Sequence, residues 1–213
     1  MKEIDLNRIE IAKKELPTAT FDRAIEENSV PYRVEFDANK CASFLMLAGL
    51  SKKQAGGINI HFKHAPWHPA LGNAGKDNNI DINVGLIWRK NLLLGPIDSI
   101  SLLHEAERET LNVAAHEAKH HNDILNRPIR NKVDRMASAV AGAAMFIGLN
   151  TLIHHQNIDS APEKMIPTLP STFVLGLMTA YYISPEEIRA RRYANNTMKE
   201  LNEENYFIKI YER

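Results

Sequence analysis

Hydrophobic positions along this chain change their period several times, and each change predicts an element. Residues 3–16 set Ile4, Ile9 and Ile11 among charges as a short amphipathic helix, which Pro17 stops. Thr18 to Glu27 reads as a second helix, with Thr20 and Asp22 near its start. Tyr32 to Phe36 alternates apolar and polar residues, as a half-buried strand does. Ala38 to Leu50 predicts an apolar helix, and Gly56-Gly57 breaks the pattern. Ile58 to Phe62 and Ile80 to Trp88 are strand candidates; Ile80, Ile82 and Val84 share one face. A polar loop, Pro69 to Asn79, joins them, which predicts a small antiparallel sheet. Residues 89–106 read as a connection with a strand or turn near 100–103. A helix is predicted over 108–126, with Leu111, Ala115, Ala118 and Leu125 on one face, and Arg127-Pro128 ends it. Two stretches, 136–153 and 173–183, carry no charge at all. A last helix runs from Pro185 to about Glu203, with Ser184 as its cap and Glu186 and Glu187 in its first turn. Residues 206–211 predict a terminal strand.

These elements predict an α+β fold in a single domain spanning 1–213. Residues 1–55 form an N-terminal part, and 56–213 a core of small antiparallel sheet beside a helical bundle. Composition agrees with a folded chain: 44% hydrophobic and 24% charged residues are ordinary globular values. Lys plus Arg and Asp plus Glu are both 26, so no charge excess favours nucleic acid or anionic membrane, and neither is expected as a partner. Cys41 is the only cysteine. It excludes an internal disulfide and a cysteine-based zinc site, and its apolar neighbours predict a buried small hydrophobe. Residues 1–10 mix both charge signs without an apolar run, so they do not read as a secretory signal, and a cytoplasmic location is expected. The uncharged stretches are short of the roughly 20 apolar residues that a membrane span needs. They are expected as buried helices or as an amphipathic hairpin, with membrane association through 136–153 and 173–183 as the secondary reading.

Charge placement changes the picture at one point, His116-Glu117-Ala118-Lys119-His120. On a helix, residues four apart lie on one face, about 6 Å apart along the axis. Two imidazoles so placed can converge on one Zn²⁺ at about 2.0–2.1 Å each. Glu117 is rotated about 100° from His116. It stands outside the ligand face yet within reach of a water held there, as a general base must. Alanines at 114, 115 and 118 leave room for close packing. A catalytic zinc needs a third protein ligand. Asp123 lies seven residues from His116, about 10 Å along the axis, too far for one ion on a straight helix. Metzincin spacing fails, since Asp123 and Asn126 stand where Gly and His belong. Thermolysin-like spacing fails too, since no Glu lies between Glu117 and Glu163. Glu163, Glu186 and Glu187 remain as candidates.

Thr110 to His120 resembles the active-site helix of gluzincin peptidases, and Ser184-Pro-Glu-Glu-Ile-Arg-Ala-Arg-Arg-Tyr-Ala resembles the second ligand-bearing helix of that group. In HtpX and CAAX-prenyl-protease-type families this helix carries Glu-x-x-Ala-Asp. In ImmA/IrrE-type peptidases it carries Glu-x-x-Ala-x-x-Phe-Ala. Glu187, Ala190, Tyr193 and Ala194 match the second pattern with Tyr for Phe. The resemblance implies a zincin-like fold, a Zn²⁺ cofactor and Glu187 rather than Glu186 as third ligand. Arg191 departs from the pattern where an Asp would steady a ligand histidine; Asp123, Asp134 or a backbone carbonyl could take that part. The two matching segments are short, and the first hundred residues resemble no family.

The expected function is zinc-dependent hydrolysis of peptide bonds in a peptide or protein substrate. His116, His120 and Glu187 hold the metal, Glu117 is the base, and Tyr193 is a candidate to steady the transition state. The rival expectation is a non-catalytic metal-binding regulator or scaffold, in which Glu117 has no purpose. An inhibitory role for residues 1–30 is left open. His61, His64 and His68 predict a strand end and loop, with substrate or second-metal contact as the sharper alternative. The strands at 58–62 and 80–88 are candidates for an edge that pairs with extended substrate. His121 is expected to face solvent or to pack.

Overall fold

The computed structural model describes residues 16–75, 77–94, 98–156 and 184–213. Two compact units divide the chain, the first comprising residues 1–125 and 193–213 and the second 126–192. Small sheets and several helices give a mixed α and β architecture.

The first unit is built on a four-stranded sheet of β1 (Thr18–Phe21), β3 (Asn59–Lys63), β5 (Asn79–Asn83) and β4 (Gly72–Ala74), in that spatial order. β1, β3 and β5 run parallel, with Ile60 opposite Ile80 and Phe62 opposite Ile82, and only β4 is antiparallel. The expected antiparallel pairing of 58–62 with 80–88 is therefore corrected. The chain between β3 and β5 is long enough to return in the same direction, and it lays down β4 on the way. Both strands proposed as the sheet edge are interior; β4, read from sequence as loop, is an edge. Ile60, Phe62, Ile80 and Ile82 are fully buried on one face. The other face carries Thr18, Thr20, Asn59, His61 and Asp81, joined across strands by hydrogen bonds and by the contact of His61 with Asp81.

Several boundaries move for local reasons. Thr18–Phe21 is a strand, held by β3, and only α1 (Arg23–Glu26) is helical in the stretch read as helix. Asp37 caps α2 (Ala38–Leu47) by accepting from Asn39 and Lys40. Gly49 then ends the helix at φ +82°, with Leu50 N–H donating back to Leu45. This left-handed turn suits glycine. Ser51 and Gln54 form a capping box on α3 (Lys52–Gly56). The expected strand at 84–88 is instead the start of α4 (Val84–Leu94). A continuous apolar run fits either element, and the Asn83 side chain decides by accepting from Leu86 N–H. Residues 100–103 are likewise helical. Asp98 accepts from Ser101 N–H at 2.8 Å and so opens α5 (Ser99–Asn126) two turns before the expected start. Those hydrogen bonds hold the Asp98 carboxyl below the usual carboxylate range.

β2 (Tyr32–Phe36) and β6 (Ile208–Glu212) form a separate antiparallel pair. Buried Glu107 on α5 accepts from Ile210 N–H of that pair at 2.8 Å. Phe44, Phe62, Phe207, Leu45, Leu111 and Ile208 fill the core between the helices and the sheets. Cys41 is buried as expected, and burial pushes its thiol well up.

The second unit contains α6 (Pro128–Gln156), with Pro128 in the first helical position where its missing N–H costs nothing, and the first half of α7 (Pro185–Glu200). Arg189 of α7 donates to Asp134 of α6 at 2.6 Å. Among the described residues no helix is long and apolar enough to cross a membrane. The stretch 173–183, Glu163 and the helix expected over 3–16 lie outside the described residues.

Asn83 joins the end of β5 to the loop before β4. Its Oδ1 accepts from Ala65 and Leu86, and its Nδ2 donates to Ala65 O and Ala70 O. The residue is 5% exposed, and truncation strands several buried partners. Asn83→Ala is expected to cost about 2–3 kcal/mol, read as a lower denaturant midpoint with an unchanged slope.

Candidate metal centre

α5 is amphipathic in an unusual way: Ala106, Leu111, Ala114, Ala115 and Ala118 are all fully buried, so its backbone sits deep in the unit. Leu125, expected on that face, is 41% exposed near the helix end. The small side chains leave the helix close to its neighbours, and His116 and His120 project together one turn apart. Their Nε2 atoms are 3.0 Å apart, and the rings meet edge to face at 4.6 Å between centroids.

Glu187 is set by its own helix. Ser184 caps α7 by accepting from Glu187 N–H at 3.2 Å, and Ile188 N–H donates to Ser184 O. Further along, buried Ala194 belongs to the core of the first unit, and Tyr193 donates its hydroxyl to Leu47 O at 2.9 Å. Tyr193 follows Glu187 by six positions, about 9 Å of helix.

His116, His120 and Glu187 each offer a ligand atom, and these atoms all lie within 4.8 Å of one another; among the described residues theirs is the one such group. The donor set fits a metal ion. Tetrahedral donors at 2.0–2.1 Å from an ion stand about 3.3 Å from one another, close to the 3.0 Å between the two imidazole nitrogens and inside the 4.8 Å within which the whole group lies. Together the three residues can hold a metal ion. Glu186, the alternative ligand, is buried but outside the group.

Glu117 is 7% exposed and lies against β4. A Cβ on Gly72 would stand 2.6 Å from Val113 Cγ1 and 2.8 Å from both Glu117 Cγ and Oε1. Only a glycine lets the strand backbone pass so close to the helix. His121, fully buried, shares a hydrogen bond with Gly75 O at 3.1 Å just beyond the strand. Burial lowers its pKa, so a neutral ring donates from Nδ1 to that carbonyl. Packing is therefore its role, one of the two that were expected.

The other expected site residues divide. Asp123 is buried and accepts from Lys119 one turn before it, and Asp134 is taken by Arg189. Tyr193 donates its hydroxyl to Leu47 O and so anchors α7 to the end of α2. Arg191 donates to Glu187 O. His61 lies between Asp22 and Asp81, His64 hydrogen bonds with Tyr32, and His68 accepts from Ala70 N–H. A cavity of about 850 Å³ lies between α4, α5 and α7, lined by Lys90, Glu109 and Asn112 among others, and none of the three grouped residues lines it.

No family model matches this chain, nor does any curated protein or solved structure. Gly72 sits in a run of Gly, Asn and Ala that has the composition of a loop, and nothing in that composition marks its approach to the helix. Gly72→Ala is expected to cost about 1–3 kcal/mol by overpacking against Val113 and Glu117. Gly57→Ala, whose nearest new contact is 3.7 Å at a right-handed φ, is expected to be neutral or slightly stabilising. Thermal unfolding of the two variants beside wild type checks the contrast.

Proposed function

We propose that this chain is a zinc-dependent peptidase with a zincin-like arrangement of the gluzincin kind. The observation that carries the reading is the grouping of His116, His120 and Glu187 with buried Glu117 one position along the same helix. Two imidazoles and a carboxylate suit zinc, and three protein ligands are the number that leaves a position for water. Zinc held there would polarise that water and lower its pKa towards neutrality. Glu117 accepts the water proton and delivers it to the leaving amine. β4 offers its main chain beside Glu117, and among the described residues no strand pairs with its outer edge. Such an edge suits an extended peptide, which adds as a further strand.

Elemental analysis of the purified chain is expected to find one zinc per molecule, lost or sharply reduced in His116→Ala and in Glu187→Ala. Glu117→Gln is expected to keep the metal and to lose peptide hydrolysis by about 100-fold or more. Metal without hydrolysis in the wild type would leave a metal-binding scaffold, and full turnover in Glu117→Gln would sink the mechanism.

A further inference from the structure

The chain has two tryptophans, and they stand in opposite surroundings. Trp88 is 6% exposed, whereas Trp67 is 79% exposed. A side chain that large is commonly placed in the open where it meets something. Trp67 is also held still. The Arg89 guanidinium stacks on its ring, 3.4 Å from the centroid, and the same guanidinium donates to Pro66 O at 3.1 Å. His68 N–H closes a turn onto Ala65 O. Asn83 pins both ends of the loop by donating to Ala65 O and Ala70 O. The ring therefore gives up little freedom on meeting a ligand, which is what a preorganised contact requires.

We infer that Trp67 is an anchor for an apolar side chain of an extended peptide bound along β4. The inference rests on the peptidase reading for its geometry and names the substrate class. Leu71, whose carbonyl accepts from Asn83 N–H, leads straight into β4. Gly72 follows Trp67 by five positions, so Trp67 lies within about 17 Å of the point where β4 meets Glu117. About five residues of an extended peptide added to β4 cover a distance of that order. The chemistry of the contact follows from Arg89. A cation already occupies one ring face and draws on its electron density, so the open face is poorly suited to a second cation. Aromatic, aliphatic or proline side chains fit it; lysine and arginine do not.

The test is a fluorescence titration of the full-length Glu117→Gln protein with an uncharged ten-residue peptide carrying one Phe. The Phe is moved position by position and also replaced by Lys. At one position the Phe peptide is expected to shift the exposed-tryptophan emission to the blue and to shield it from acrylamide. Trp67→Ala is expected to weaken binding by about fivefold or more, Trp67→Phe to recover part of it, and the Lys peptide to bind as poorly to wild type as the Phe peptide does to Trp67→Ala. Equal affinity of Trp67→Ala and its parent for every peptide would overturn the inference, even if wild type hydrolyses them. A Trp67-dependent signal from a wild-type chain that hydrolyses nothing would sink the peptidase reading and leave the anchor standing.

Discussion

Everything at the candidate centre depends on how closely the β4 backbone can approach α5. At Gly72 the strand carries only hydrogen towards the helix, and the freed space is filled by Val113 and the Glu117 side chain. One turn on, His121 ties the end of the same strand to the same helix. Alanines on the buried faces of α5 do the complementary work, letting the helix sink into the core until its polar stripe stands beside a sheet edge. A larger residue at either contact would separate a potential base from the main chain beside which it is held.

The C-terminal half of α7 is held by different means. Gly49 ends α2 in a left-handed turn, which leaves the carbonyls of Leu47 and Gly49 open to partners from elsewhere. Tyr193 of α7 donates to the first and Asn122 of α5 to the second. A Cβ on Gly49 would stand 2.9 Å from the Tyr193 hydroxyl. Two segments remote in sequence, α5 and the C-terminal half of α7, thus both bond to the end of α2.

What could be read from sequence was what local spacing controls. His116 and His120 must share a face if 108–126 is helical, and Ser184-Pro185 with two following acids specifies a helix start that delivers Glu187 near the front of α7. Strand direction was not legible, because Ile60 pairs with Ile80 through a choice made by the chain between them. Residues 80–88 show the limit most plainly. Their apolar run suits a strand or a buried helix, and the change from one to the other at Asn83 rests on a single side-chain amide. Tyr193 was noticed for the right reason, its place beside the motif. The sequence holds no sign of whether a hydroxyl faces a site or a helix end.

The first unit is assembled from two separated stretches, and β2 finds its partner β6 only after residues 126–192 have been traversed. Closing so long a loop is entropically slow, and topologies of high contact order fold late in their final step. Until β6 is present, β2 has an open edge that carries Phe36 and Val34. The apolar residues of β6, Ile208 and Ile210, arrive after the intervening unit and bring the Glu107 hydrogen bond with them. Removal of residues 206–213 would leave β2 without its partner strand, a species prone to self-association at that edge.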